Sequence, residues 1–503
     1  MIKIRINFNT NRHRGIQGGK TFLEFSAGGD RASEGCKGLP RQIPPKFLRS
    51  VACCVCLFFI NINFIHLFAQ QNTEESRRDI LQFGTETEIA SLIQSLIAEN
   101  ADYLDNDLIA LVLNSRNQRI LTSVFGYFGQ REKTGLEARA LRAITQREDE
   151  TNETVHAAMD YLGRVKSAEA VPVIMELLDT EERRFLATGF RAIGLASSGN
   201  EELANQTAVF LVEYYEERDP ASDLRSVILN SIGATRSAAG IALLVDIATN
   251  TDERIPLRIA ALGALSNIGN ERGLEAILTC IGTNDPNVRS AAVGALGPFT
   301  GENVDNAILD AFRDSYYRTR LAAAQAARDR RLAAAVPFLR FRAERDDVPN
   351  VKDEAIRALG AIANADAIQV LETLFTTRTN TDRVRILAAD MLIKNAGGRH
   401  FTRVIAEMED ARTRNQQNLV NGFLRVAGEA VVEGDKAEIE SVARRFMDSG
   451  NVMEKLFGLD MVLNNELRGL RDQLVTLARD RNESIARKAR RIAERLNIEI
   501  PDA

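Results

Sequence analysis

Four histidines and five cysteines are the side chains of this 503-residue chain best suited to hold a metal or act as nucleophiles. Cys36, Cys53, Cys54 and Cys56 all precede residue 57, which leaves Cys280 alone in the body of the chain. One thiol makes neither a disulfide framework nor a zinc pair. His13, His66, His156 and His400 are scattered, no two within a helical turn, so a His-rich metal site is not expected. No G-x-x-x-x-G-K-S/T phosphate loop or Ser/His/Asp pattern is evident, and Gly397-Gly398 reads as a turn. His156 is expected on an exposed face, His400 at the start of a helix, and Cys280, in LEAILTCIG, in the core as a small hydrophobe. The Tyr214-Tyr215 and Tyr316-Tyr317 pairs could anchor a partner, with one ring of each pair in the core.

The elements that would position these residues are helices. Ala, Leu, Arg and Glu dominate, Pro is scarce at 11 and Trp is absent, a composition of helix formers. A period is visible by eye. DERIPLRIAALGALSNIG at 252–269, DPNVRSAAVGALG at 285–297 and NVKDEAIRALGAI at 350–362 share one grammar, with NETVHAAMDYLG at 152–163, RRFLATGFRAIG at 183–194 and SDLRSVILNSIG at 222–233 as looser copies. A basic residue recurs at Arg225, Arg258, Arg289, Arg320, Lys352 and Arg385, at spacings of 33, 31, 31, 32 and 33.

Each unit opens on Asp, Asn or Pro (Asn152, Asp219-Pro220, Asp252, Asp285-Pro286), residues suited to capping or starting a helix. Gly163, Gly194, Gly233, Gly297 and Gly360 fit either a left-handed helix end or a tight helix crossing. A second helix follows, as in AEAVPVIMELL at 168–178 and AAAVPFLRFRA at 333–343, with Pro172 and Pro337 in first turns. One such pair cannot bury both apolar faces, so neighbours must stack. About ten repeats of about 32 residues are expected over 151–497, a helical cap with degenerate repeats over 70–150 and a tail at 498–503. The last unit has one helix, whose Arg487, Lys488, Arg490, Arg491 and Arg495 read as the polar face of a cap, with a basic nucleic-acid-binding helix as the rival reading.

Residues 46–69 have the layout of a signal peptide: Lys46 and Arg49, the uncharged run Val51–Phe68, then Ala69 before Gln70 as the cleavage point. An uncleaved membrane anchor is the rival reading. Ser50-Val51-Ala52-Cys53 precedes the apolar run and is a poor lipobox. Residues 1–45 have no pattern and read as a disordered or spurious extension, with true initiation near Leu48. Residues 1–69 hold ten basic and three acidic side chains, so the remainder of a chain of net charge −5 carries −12. The expected location is the periplasm or cell envelope.

Asp285–Gly297, D-P-x-V-R-x-x-A-x-x-A-L-G, together with A-V-P-x-L at Ala335–Leu339, resembles HEAT-like repeats of the phycobilisome-lyase type over roughly residues 150–497. RRDILQFGTETEIASLIQSLI at 77–97, behind the signal segment, looks like exported HEAT-repeat proteins of spirochaetes. The resemblance implies an all-α, right-handed solenoid of stacked antiparallel helix pairs. Its class includes chromophore lyases, hydroxylases, DNA glycosylases and scaffolds, so fold leaves function open. The hydroxylases carry paired His-Glu motifs that hold iron, and this chain has no His-Glu dipeptide. The glycosylases use a basic face and aromatics, whereas this chain lacks Trp and is acidic after residue 69. Bilin-lyase-like chemistry, or nucleic-acid binding in a cytosolic location, is the alternative to a non-catalytic protein-binding scaffold. No cofactor, metal or small-molecule substrate is expected.

Charge is the remaining clue. Residues 150–310 hold 24 acidic and 12 basic side chains, and residues 311–425 hold 14 acidic and 20 basic. In HEAT-type solenoids second helices usually line the concave side. The polar positions expected there are Glu176, Glu213, Asp246, Glu275 and Asp310, then Arg340, Arg342 and Arg403, with Tyr214 as an aromatic anchor. An extended or helical protein segment of complementary charge is the expected partner, with head-to-tail self-association as the variant.

Overall fold

The computed structural model describes residues 74–500, apart from 114, 396–399 and 434–435. The extension 1–45, the signal segment 46–69 and its cleavage pair Ala69-Gln70 lie outside the described residues. Every regular element within them is a helix, and none is long and apolar enough to cross a membrane.

After α1 (74–83) the helices alternate between two layers. They run α2 (Glu86–Glu99), α3 (Asp105–Leu113), α4 (Gln118–Gln130), α5 (Glu137–Thr145), α6 (Asn152–Arg164), α7 (Ala170–Asp179), α8 (Arg183–Ser197) and α9 (Glu201–Glu217). Next come α10 (Ser222–Thr235), α11 (Ile241–Thr249), α12 (Ile255–Ile268), α13 (Leu274–Ile281), α14 (Pro286–Ala295), α15 (Glu302–Ala311), α16 (Tyr317–Asp329), α17 (Val336–Arg345) and α18 (Pro349–Ile362). The rest are α19 (Ala365–Thr376), α20 (Asp382–Asn395), α21 (Phe401–Thr413), α22 (Gln417–Glu429), α23 (Ala437–Met447), α24 (Val452–Asn465), α25 (Arg471–Leu477) and α26 (Glu483–Arg495). From α2 to α26 each even-numbered helix packs on the next even-numbered one, and the odd-numbered helices form the other layer. The segment before residue 150 follows the same alternation.

The sequence of each layer explains its place. Even helices are enclosed on several sides and bury residues nearly all round: α16 buries Ala322, Ala323, Ala324, Ala326 and Ala327. Odd helices bury one stripe, such as Ile241, Leu244, Ile247 and Ala248 on α11, and present the rest to solvent.

The glycines divide by what surrounds them. A Cβ on Gly194 would lie 2.6 Å from the Ser231 carbonyl oxygen, and one on Gly233 would lie 2.6 Å from Ala264 Cα. A Cβ on Gly163 would meet Ala192 Cα at 3.0 Å, and one on Gly360 would meet the Met391 side chain at 2.8 Å. These four are tight crossings between even helices. Gly297 is neither crossing nor left-handed end, for its nearest atom is the Gly294 oxygen at 4.0 Å and its φ is not positive.

Left-handed helix ends fall mostly on other residues, including Arg236, Ala363 and Glu466. Ala363→Gly, at φ 49°, should raise stability by about 0.5–1 kcal/mol, because glycine carries no Cβ strain there but loses more chain entropy on folding. Urea unfolding followed by circular dichroism checks this, and a destabilised variant would count against it.

Caps also divide. Asp285 accepts from the Asn287 and Val288 N–H groups ahead of Pro286, as its type predicts. Thr151, one residue before Asn152, caps α6. Asp219 and Asp252 cap nothing, since α10 and α12 start after Ala221 and Arg254.

The recurrent basic residues are the second joint between layers. Arg258 Nε donates to the Ala248 carbonyl at 3.0 Å and Arg385 Nε to Phe375 at 2.9 Å. Arg289 and Arg320 reach the carbonyls of Asn284 and Ser315 at 2.8 and 2.9 Å, and Lys352 reaches Glu344 at 3.1 Å. Each therefore takes up carbonyls at or just beyond the end of the preceding odd helix, which that helix cannot satisfy itself. Carboxylates complete the joint: Asp314 for Arg289 at 2.7 Å, Asp346 for Arg320 at 2.7 Å and Glu407 for Arg385 at 2.8 Å.

Candidate protein-binding face

The odd helices set the register of the outward face. Two adjacent inward positions recur near each helix end: Leu177-Leu178, Tyr214-Tyr215, Ile247-Ala248 and Ala311-Phe312 are all buried. The residue just before each pair points outward, and in these helices it is Glu176, Glu213, Asp246 and Asp310, all exposed. Four of the sequence-expected acids thus occupy one equivalent row. Glu275 is exposed but lies one turn earlier on α13, where Thr279 holds the row position. The two residues share a face because they are four apart.

Glu176, Glu213, Asp246 and Glu275 form no ion pair among the described residues, whereas Asp310 pairs with Arg313 at 2.6 Å. Their charge is therefore largely available to a partner. The basic stretch behaves differently. Arg328 pairs with Glu354, Arg330 with Asp305, Arg357 with Glu354, Arg378 with Asp410, and Arg383 with Asp353. Arg340 pairs with Glu344 at 3.1 Å. Arg403 is exposed and makes no ion pair among the described residues. Many of the basic side chains counted in this stretch are therefore tied to carboxylates of the fold.

Two expected site residues are corrected. Tyr214 is 6% exposed and meets the Phe190 ring edge-on at 4.8 Å, so it is core and cannot anchor a partner. Tyr215 is buried as well. Both fill the paired inward positions, which leave room for large rings. Arg342 is half-buried, because it stands where other odd helices place a core residue. Its guanidinium bonds the Phe312 carbonyl and lies 3.4 Å from Asp346, and burial lowers its pKa.

Phe341 was not singled out by the sequence reading. It occupies the outward row on α17 and is 50% exposed. The signal was present in FLRFRAER at 338–345, an aromatic residue among arginines.

The remaining chemistry-bearing residues are structural. Cys280 is buried, its thiol directed at the Ala248 carbonyl at 3.2 Å, and burial raises its pKa. His156 is half-buried rather than solvated. Its ring meets Phe185 at 5.5 Å, its Nδ1 is buried without a hydrogen-bond partner among the described residues, and burial lowers its pKa. His400 caps the start of α21 by position, with Nδ1 3.4 Å from Glu372. Among the described residues no group of three His, Cys, Asp or Glu side chains is placed to hold a metal.

The fold is an α-solenoid of stacked helix pairs whose odd helices carry a recurring row of exposed side chains. The chain belongs to the spirochaete HEAT repeat proteins, whose family model matches residues 81–492. It is 23% identical over 253 residues to deoxyhypusine hydroxylase-B of Oryza sativa subsp. japonica, covering 46% of this chain and 74% of that protein. The sequence has no His-Glu dipeptide, so its donors do not fit the iron motif of such hydroxylases. Among solved structures the chain is similar to Kap121p, at 12% identity and a TM-score of 0.42 over 84% of this chain and 53% of that one. It thus spans about half of Kap121p. Importin beta is similar at 14% identity and a TM-score of 0.36, over 88% of this chain and 72% of that one. These are likenesses of fold.

Proposed function

We propose that the chain is a non-catalytic scaffold of the cell envelope that holds another protein along the outward row of its odd helices. The observation that supports this reading is the acidic row itself. Glu176, Glu213 and Asp246 recur at one register, exposed and without ion pairs among the described residues. Surface carboxylates in a fold that pairs its arginines so thoroughly are free to attract a basic segment and to speed its encounter. The signal-like layout of residues 46–69 supports export.

Changing Glu176, Glu213 and Asp246 together to Lys should lower capture of the partner from a cell-envelope extract by about tenfold or more at low salt and flatten its salt dependence, since each charge acts through the rim of the interface. Quantitative mass spectrometry of crosslinked complexes reads this. The same proteins captured in the same amounts by both forms would refute the assignment of the partner to this row, and recovery of the native chain in the cytosolic fraction would refute the envelope location.

A further inference from the structure

We propose that the acidic row receives a basic segment in the polyproline II conformation, with a Lys or Arg at every third residue. This rests on the scaffold reading above and adds the form of the segment it holds. The odd helices α7, α9, α11, α13 and α15 contain no Lys or Arg, so no cation of their own competes for the row. Glu176, Glu213 and Asp246 stand exposed on three successive odd helices, without ion pairs among the described residues. One turn earlier on the same faces stand Pro172, Val209 and Ala242, also exposed and all apolar. A carboxylate beside a small apolar side chain thus recurs on each of these helices. That pairing suits a Lys or Arg, whose stem lies along the apolar residue while its charged head meets the carboxylate.

The form of the segment follows from what each peptide conformation needs. A β-strand needs an exposed sheet edge to pair with, and every regular element among the described residues is a helix. An amphipathic helix needs an apolar groove, whereas the outward side chains of this row are carboxylates beside small apolar groups. A polyproline II segment has no internal hydrogen bonds and keeps its backbone in water, so side-chain contacts alone can hold it. Its pitch also fits. Helices packed side by side lie about 8–10 Å apart, and three residues of polyproline II advance about 9 Å and return the side chain to the same face. Three residues of a β-strand advance about 10 Å but turn the side chain to the opposite face. In polyproline II, one basic side chain can meet each successive odd helix.

The probe is a labelled synthetic peptide, Lys-Pro-Pro-Lys-Pro-Pro-Lys-Pro-Pro-Lys, titrated against the purified full chain by fluorescence anisotropy. It should bind about tenfold or more tighter than the same residues with the lysines run together, because only regular spacing sets one charge against each helix. An Ala-rich helical peptide with Lys at every seventh residue should bind no better than the clustered one. Changing Glu176, Glu213 and Asp246 together to Lys should remove the preference for the regular peptide, with an unchanged thermal melt, since all three side chains are exposed. Equal binding of regular and clustered lysines, both weakened by the triple change, would overturn the polyproline II form and leave the row as the site of a basic partner. Tighter binding of the helical peptide would overturn that form as well, as would failure of the wild-type chain to bind the regular peptide. Peptide binding that the triple change leaves untouched would overturn this inference and the acidic-row reading together.

Discussion

Gly233→Val is expected to destabilise the solenoid by about 3 kcal/mol or more. The new Cβ would sit 2.6 Å from Ala264 Cα and 2.8 Å from Ala264 Cβ, whereas carbon atoms in contact prefer about 3.5–4.0 Å. The obstacle includes backbone of α12, so no rotamer change relieves it and the two even helices must separate by about an ångström. Stacked repeats are held by nearest-neighbour interfaces, so the loss should also divide unfolding into two transitions, one for each side of the α10–α12 joint. Gly297→Val is the control, with an expected effect within about 0.5 kcal/mol, because no neighbour crowds that Cβ. Urea unfolding by circular dichroism with both variants checks the pair. Equal losses would refute the crossing role of Gly233.

Arg320→Leu should cost about 3–5 kcal/mol. The Asp346 side chain is fully buried, and the Arg320 side chain is 7% exposed. The guanidinium contacts both carboxylate oxygens, at 2.7 and 2.9 Å, and also the Asp314 and Ser315 carbonyls. Removing it strands a buried carboxylate whose other contacts are the Val348 N–H and Arg342. Adding Asp346→Asn to Arg320→Leu should return part of the loss, and a double-mutant cycle measures the coupling.

The same joint sets an acid limit. Burial alone would raise the Asp346 carboxyl, but Arg320 and the Val348 N–H hold it below the usual carboxylate range. Asp314 is depressed in the same way, burial being outweighed by Arg289 and the Tyr316 N–H. A carboxyl that binds its proton less readily when folded adds stability in full above its unfolded value near ~4, and that contribution disappears as pH falls through the lower folded value. Stability should thus decline from about pH 4 downward, and Asp346→Asn should make the decline shallower. An unchanged slope in urea melts from acid to neutral pH would contradict this.

Much of the fold was legible in the sequence. The 31–33 spacing of the basic residues marks the even helices, and the apolar spacing of α10 and α11 marks their buried sides. Cys280 went to the core as its neighbours imply. The candidate face was legible only in part. Glu176, Glu213 and Asp246 could be placed outward from helical periodicity, because their own helices bury the residues beside them. Tyr214 could not be told from a surface anchor, for the space that admits its ring is made by Phe190 of another helix.

By itself the sequence determined that this protein is a row of helix pairs, since propensity and apolar period act within a few turns and each unit repeats the last. Tertiary structure alone decided which charges remain free and which glycines carry the stack. Arg289 finds Asp314 25 residues away and Arg320 finds Asp346 26 away, while Gly233 meets Ala264 of the next even helix. Such pairs form when one repeat docks on the next. Arginine therefore becomes an internal joint at Arg289 and Arg320 and, at Arg345, an exposed side chain with no ion pair among the described residues.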